Sequence, residues 1–276
     1  MNKTRLLLPV LISLAATTAV QAQFEYTTND GAITITGYSG SGGQVIIPTN
    51  ISSLPVTAIG ANAFESSSLS GVTIPDSITS IGAGAFEFCT GLGSVTIPGS
   101  VTEIGEDAFN ECISLTNAVL GEGVPSIGYG MFEACGSLTS VNIPNSVSSI
   151  AGLAFESDAG LGSITIPGRV TSIGGLAFEQ CYSLTNIFFK GNPPTFVSTA
   201  FTDDENVTVY YLLGATNWNT NFANFPTVLW NPQIVNGGTS FGVSNNQFGF
   251  NITGASNIPI VVEAGDDLSG ANWTPL

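Results

Sequence analysis

The sequence predicts a repeat solenoid, built mostly from short parallel β-strands with turns and short helical segments, followed by a small partial all-β segment at the C-terminus. Two observations predict it. Phenylalanine recurs at Phe64, Phe86, Phe109, Phe132, Phe155, Phe178 and Phe201, in steps of 22 and then 23 residues. Three further apolar columns keep the same phase: Ile81, Ile104, Ile127, Ile150 and Ile173; Leu69, Leu92, Leu115, Leu138, Leu161 and Leu184; Ile74, Ile97, Leu120, Ile143 and Ile166. Columns held in register over more than a hundred residues are the signature of stacked identical units.

One unit, Leu92 to Ser114, reads LGSVTIPGSVTEIGEDAFNECIS. Leu92, Val95 and Ile97 open it, and residues two apart share one face of a strand. Proline at 75, 98, 144 and 167 closes the strand because it has no N–H to extend the ladder. The Val-x-x-Ile-Gly and Ala-Phe-x-x-Cys segments that follow are too short for a long helix, and the reading is a turn plus about one helical turn. A coil of this length cannot bury its apolar side alone. The coils must therefore stack at the inter-strand spacing of about 5 Å, turning each column into an internal ladder.

The pattern L-x-x-V-x-I-P-x-S-V-x-x-I-G-x-x-A-F-x-x-C resembles the BspA-type, or Treponema pallidum-type, leucine-rich repeat of secreted and surface bacterial proteins. It covers about residues 43 to 212 and departs from the commoner leucine-rich consensus in lacking an N/C-x-L element, with Ser77, Ser100 and Ser146 near that place. The resemblance implies a non-covalent binding role, associated in that family with adhesion to host proteins, other cells or surfaces.

The ends are read from composition. Lys3 and Arg5 precede an apolar run from Leu6 to about Val20, and Val20-Gln21-Ala22 supplies small residues for cleavage, so residues 1–22 read as a signal peptide. The run is shorter than the roughly 20 residues a bilayer span requires, which argues against membrane insertion of the mature chain. Residues 23–44 read as an N-terminal cap, 45–212 as the solenoid with repeats of about 23 residues, and 213–230 as an aromatic C-terminal cap. Residues 231–276 lose the period and read as a partial β-strand module, expected to be truncated or packed on the solenoid end, with no anchor or sorting motif. The localisation this implies is secretion or the cell surface of a bacterium.

The full chain carries a net charge of −16, and removal of the leader leaves only Arg169 and Lys190 against 20 acids. Such a chain repels phosphate backbones and has no basic stripe, so nucleic acid is excluded as a partner. There is no histidine. Ser-His-Asp and Cys-His nucleophilic catalysis are thereby excluded, and no G-x-S-x-G occurs. A polysaccharide-acting enzyme using paired carboxylates is the remaining catalytic alternative, but a uniform acid column offers nothing to separate two pKa values. No catalytic residue, metal site or cofactor is expected.

Three columns are candidates for something more. Cys89, Cys112 and Cys135 lie in one column, with Asp158 in the next slot and Cys181 beyond it. Neighbouring coils bring two Cα atoms within disulfide range and two steps do not. Cys181 should therefore be a free thiol, and at most one bond joins Cys112 to Cys89 or to Cys135. The alternative is a ladder of small buried side chains, the commoner fate of unpaired cysteine. Zinc is disfavoured because one inward column cannot wrap a tetrahedral ion.

Glu65, Glu87, Glu133, Glu156 and Glu179 follow the repeat phenylalanine, with Asn110 filling the gap. Their mutual repulsion would be relieved by a cation or a basic partner, yet solvated glutamates tolerate it after screening. The Asp203-Asp204-Glu205 cluster reads as a surface loop. Finally, the outward strand positions Ser94, Thr96, Asn117, Ser140, Asn142, Ser163, Thr165, Asn186 and Phe188 form a small-residue polar face on which a ligand could dock, Phe188 being its one large side chain. The expectation is binding of an extracellular protein or glycan. The alternative is a structural spacer or surface-layer component that displays the C-terminal module.

Overall fold

The computed structural model describes residues 23–230 with their side chains, and beyond them the backbone of short strands between Gln233 and Pro275. The expected leader, residues 1–22, lies outside the described residues. The chain divides into two compact units with the boundary between Val228 and Leu229.

In the first unit, the alternation around Leu-x-x-Val-x-Ile produces one strand per coil: Gly43–Ile46, Leu69–Thr73, Ser94–Ile97, Asn117–Leu120, Ser140–Asn142, Ser163–Ile166, Asn186–Phe189 and Thr208–Leu212. Parallel ladders join the first two of these strands, the next three and the last three, as in Asn117 with Ser94 and Leu120 with Ile97. Every second side chain, such as Val95 and Ile97, is buried, whereas Ser94 and Thr96 are exposed.

A second, shorter ladder runs through Leu54–Ile59, Ser80–Ile81, Glu103–Ile104, Ser149–Ile150, Ser172–Ile173 and Thr195–Phe196, with Ile127 bridging to Ile150. Thr102 and Thr171 each donate their backbone N–H to the coil before, to Thr79 and Ser148 respectively. Pro125 occupies the equivalent place in its coil and has no N–H to give, so the ladder breaks between Ile104 and Ile127.

The expected helical turn does not form; among the described residues there is no helix. Two residues per coil, four apart, are held in the left-handed region: Gly84 and Phe88, Asp107 and Glu111, Gly130 and Ala134, Leu153 and Ser157, Leu176 and Gln180. Each ends the right-handed path after a few residues. The N–H groups then alternate between two destinations. Ala85, Glu87 and Cys89 close tight turns onto Gly82, Gly84 and Phe86, whereas Gly84, Phe86 and Phe88 donate to Glu106, Ala108 and Asn110 of the next coil. A helix would keep every N–H within its own coil. Stacking captures half of them as inter-coil bonds, which offsets roughly 1–2 kcal/mol of strain per left-handed non-glycine residue.

The core is a set of ladders. The phenylalanine rings stack at centroid separations from 4.9 Å for Phe64 and Phe86 to 5.7 Å for Phe109 and Phe132, within 17° of parallel throughout. Both ends of this stack are closed by aromatic rings. A hairpin, Phe24–Asn29 with Ala32–Tyr38, turns at Asp30-Gly31, both with positive φ, and sets Phe24 and Tyr38 against Phe64. At the other end, Phe196, Phe222 and Phe225 meet Phe201 edge-on. Asn221–Phe222 and Phe225–Trp230 form a hairpin whose longer strand continues the sheet from Thr208–Leu212.

Among the described residues of the second unit, three antiparallel pairings occur: Gln233–Val235 with Asn251–Thr253, Gly242–Ser244 with Gln247–Gly249, and Glu263–Ala264 with Thr274–Pro275.

Candidate functional site

The strand face is the broadest polar surface that the repeat builds. Ser94, Asn117 and Ser140 lie side by side across three coils, as do Thr96, Val119 and Asn142. In the next two coils Ser163 pairs with Asn186 and Thr165 with Phe188. Ser94, Thr96, Ser140 and Asn142 are exposed, and Asn117, Ser163, Thr165 and Asn186 are half-exposed. Phe188 lies on the same face but is only 2 % exposed, stacked on Tyr210 at 5.1 Å. It is therefore a covered side chain, not the open aromatic anchor that its position in the sequence suggests. Apart from Phe188 and the half-exposed Tyr210 beside it, the face is neutral and small, able to make hydrogen bonds but not to fill a deep pocket.

The glutamate column is more crowded than the repeat phase implies. Asp107 and Glu111 flank the Asn110 gap, and Asn110 itself is buried. Partial burial pushes the Glu87 carboxyl up, reinforced by Asp107, Glu65 and Glu111. Glu133 is pushed to about 7, first by burial and then by Glu156 and Asp107. Glu133 and Glu156 lie close enough to share a hydrogen bond, and burial together with Glu179 also raises Glu156. Asp107 reaches over the next coil at Gly130, where a Cβ would sit 1.9 Å from its Oδ1. Glycine with φ +57° is the residue that leaves this space. No group of three or more acids or thiols among the described residues is arranged to hold a metal ion.

The cysteine column is dry. All four cysteines are free and buried. The thiol of Cys89 donates to the Phe64 carbonyl at 3.1 Å, Cys112 to Phe86 and Cys135 to Phe109 at 3.2 Å, and Cys181 to Phe155 at 3.1 Å. Each bond therefore ties a coil to the one before it. Burial pushes the Cys89 thiol up to about 12 and raises Cys135 and Cys181 as well, so these are structural thiols and not nucleophiles.

Asp158 takes the thiol's place in its coil. It is fully buried, and no donor makes a well-formed hydrogen bond to either carboxyl oxygen. Burial raises its pKa well above the carboxylate range, and the opposing influence of the Cys135 backbone N–H is the smaller of the two. Asp204 is one more step along the same column. Its neighbours Asp203 and Glu205 point to a surface loop, yet Asp204 is 7 % exposed and pushed to about 7, mainly by burial. The loop expectation therefore fails at the middle residue. The 23-residue step from Cys181 was the signal that would have found it.

Residues 57–185 match, in six copies, the family described as BspA type Leucine rich repeat region. The repeats belong to that family. No curated protein is significantly similar in sequence to the whole chain. A leucine-rich cell surface protein of Faecalibacterium prausnitzii is 28% identical, with 69% of each chain covered and a TM-score of 0.49. The Treponema pallidum leucine-rich repeat protein is also 28% identical, over 62% of this chain and 72% of that one, with a TM-score of 0.41. A leucine-rich repeat protein of Eubacterium ventriosum, 24% identical over 59% of this chain and 45% of its own, reaches a TM-score of 0.50 and shares the fold. This BspA-type solenoid is thus a repeat scaffold with an exposed strand face, an acidic edge and a sealed interior.

Proposed function

We propose that this BspA-type protein is exported and works at or outside the bacterial cell surface as a binding scaffold for an extracellular protein or glycan, in adhesion or recognition. The observation that carries the reading is the strand register. It aligns Ser94, Asn117 and Ser140, and Thr96 with Asn142, into parallel rows of unspent hydrogen-bonding groups on a surface too regular for a catalytic pocket. Export rests on the signal-peptide pattern of residues 1–22, and the surface setting is that of the F. prausnitzii protein.

Small neutral side chains give modest hydrogen-bonding energy each, so the affinity comes from many weak contacts along the rows. The test is binding of the protein to arrays of glycans and extracellular matrix proteins at low and high salt, with and without calcium. The expected result is salt-resistant binding that Asn142→Ala with Thr165→Ala weakens at least tenfold. Binding that vanishes in salt would move the site to the glutamate column. Silence across the array would favour a spacer, a reading supported by the regular pattern of successive coils.

A further inference from the structure

We infer that the C-terminal end of the solenoid carries a second binding site, for a neutral oligosaccharide, in the groove around Trp218. The inference is independent of the strand-face reading. Two adjoining depressions, of about 270 and 640 Å³, share Trp218, Asn219 and Asn221 in their walls. The first is completed by Pro193, Phe196 and Asn217, among others, and the second by Tyr211 and Thr227. Among the described residues, no charged side chain lines either one.

The aromatic part is rigid. The Trp218 indole N–H donates to the Gly191 carbonyl at 3.0 Å, and its ring stacks on Tyr211 at 5.1 Å and 10°. Phe189 and Phe222 brace it at 5.1 and 5.5 Å. With its N–H already used, Trp218 presents only ring carbon to the groove. Phe196, packed on Phe222 at 4.6 Å, is 37 % exposed. A cap that served only to seal the last coil would turn these rings inward and end on small polar residues.

The polar part is unspent. Asn217, Asn219 and Asn221 are exposed, and their side-chain amides make no hydrogen bond within the described residues. The nearby Asn192 contrasts with them, since its Oδ1 accepts from both the backbone N–H and the hydroxyl of Thr216. A carboxamide offers two donors and an acceptor, which match a pair of vicinal sugar hydroxyls, and a flat ring beside it takes the C–H face of a pyranose. Fixed apolar walls with a few convergent polar groups are what small-ligand sites share. The absence of charge, in a chain with a net charge of −16, selects against uronic or sialic acids.

The experiment is calorimetric titration of the full chain with hexasaccharides of β-1,4-glucose, α-1,4-glucose, β-1,4-xylose, β-1,4-mannose and N-acetylglucosamine, with polygalacturonate as the anionic comparison. At least one neutral hexasaccharide is expected to bind. Asn219→Ala with Asn221→Ala should weaken it at least tenfold at an unchanged melting temperature, and Trp218→Phe, which keeps a ring in place, should weaken it less than Trp218→Ala. The inference is overturned if no neutral hexasaccharide binds, if the asparagine variant binds as well as the parent, or if polygalacturonate binds more tightly. A Trp218→Ala chain that fails to fold leaves the asparagine variant to decide.

Discussion

Glu156 and Asp158 are two residues apart in one coil, carry the same functional group and occupy different worlds. Glu156 stands half-exposed in a row of like charges, whereas Asp158 stands fully buried in a row of thiols. Both carboxyls are raised, yet the consequences differ. At the glutamate edge, water and salt share the cost, so seven acids, Glu65 to Glu179 with Asp107 and Glu111 among them, accumulate along it. In the thiol column nothing shares it. A thiol there donates one bond to the previous coil, as in Cys135 to Phe109 and Cys181 to Phe155. A carboxyl can do the same only by keeping its proton. The repeat thus tolerates repeated charge on its surface and tolerates it inside only in neutral form.

The largest expected effect comes from breaking the dry interior without touching charge. Phe109→Ala removes one ring from the middle of the stack, and core truncations of this kind cost about 3–5 kcal/mol. Urea denaturation should show it as a lower midpoint, and loss of no more than about 1 kcal/mol would mean that the neighbouring coils collapse into the gap.

Next is the buried acid. Asp158→Cys restores a donor suited to the column and removes a group whose folded pKa is raised. A raised acid contributes stability that is full below its unfolded pKa of about 4 and is lost as pH rises. The slope is about 1.4 kcal/mol per pH unit for each carboxyl that the fold keeps protonated. Asp158→Cys should therefore be more stable than the parent at pH 8, and the advantage should shrink along that slope towards pH 4. Thermal melts across that range would test it; an advantage independent of pH would show that Asp158 is not protonated in the fold. Asp204, raised to about 7, adds its own loss of stability between about pH 4 and pH 7.

A smaller change is expected from Cys135→Ala, which deletes one inter-coil thiol bond and should cost about 1 kcal/mol. Cys135→Ser keeps a donor and should recover part of it. The smallest belongs to the exposed edge. Glu133→Gln removes a partly buried carboxylate and, second to that, its repulsion from Glu156 and Asp107, and should raise stability by no more than about 0.5 kcal/mol at pH 8, with only the repulsive part lost at high salt. A large effect there would indicate that the edge is less solvated than its exposure suggests.

The periodic columns made the interior legible before any coordinate was known. An apolar side chain recurring every 23 residues has one economical explanation, and the Phe, Leu, Ile and Cys ladders follow from it together with their spacing. The strand-face rows were legible for the same reason, since alternation assigns each side chain to a face. The local path between strands was not. The Ala-Phe-x-x-Cys segment has helical composition, and only the neighbouring coil, by accepting the N–H groups of Gly84, Phe86 and Phe88, makes a chain of turns preferable to a helix. Non-periodic residues were equally silent. Nothing in the sequence placed Phe188 under cover or gathered Trp218, Phe196 and three asparagines around one groove, whereas Asp204 was within reach of the period, 23 residues after Cys181.

The sequence by itself determined the class of fold, the spacing of the coils, the identity of the buried columns and the exclusion of histidine-based chemistry, because each depends on residue type and period alone. Only the tertiary structure decided which carboxyls are dry, how the coils hydrogen-bond across their turns and how the aromatic end is shaped. Those outcomes depend on which groups of different coils come within a few ångströms of each other, and on whether water reaches them.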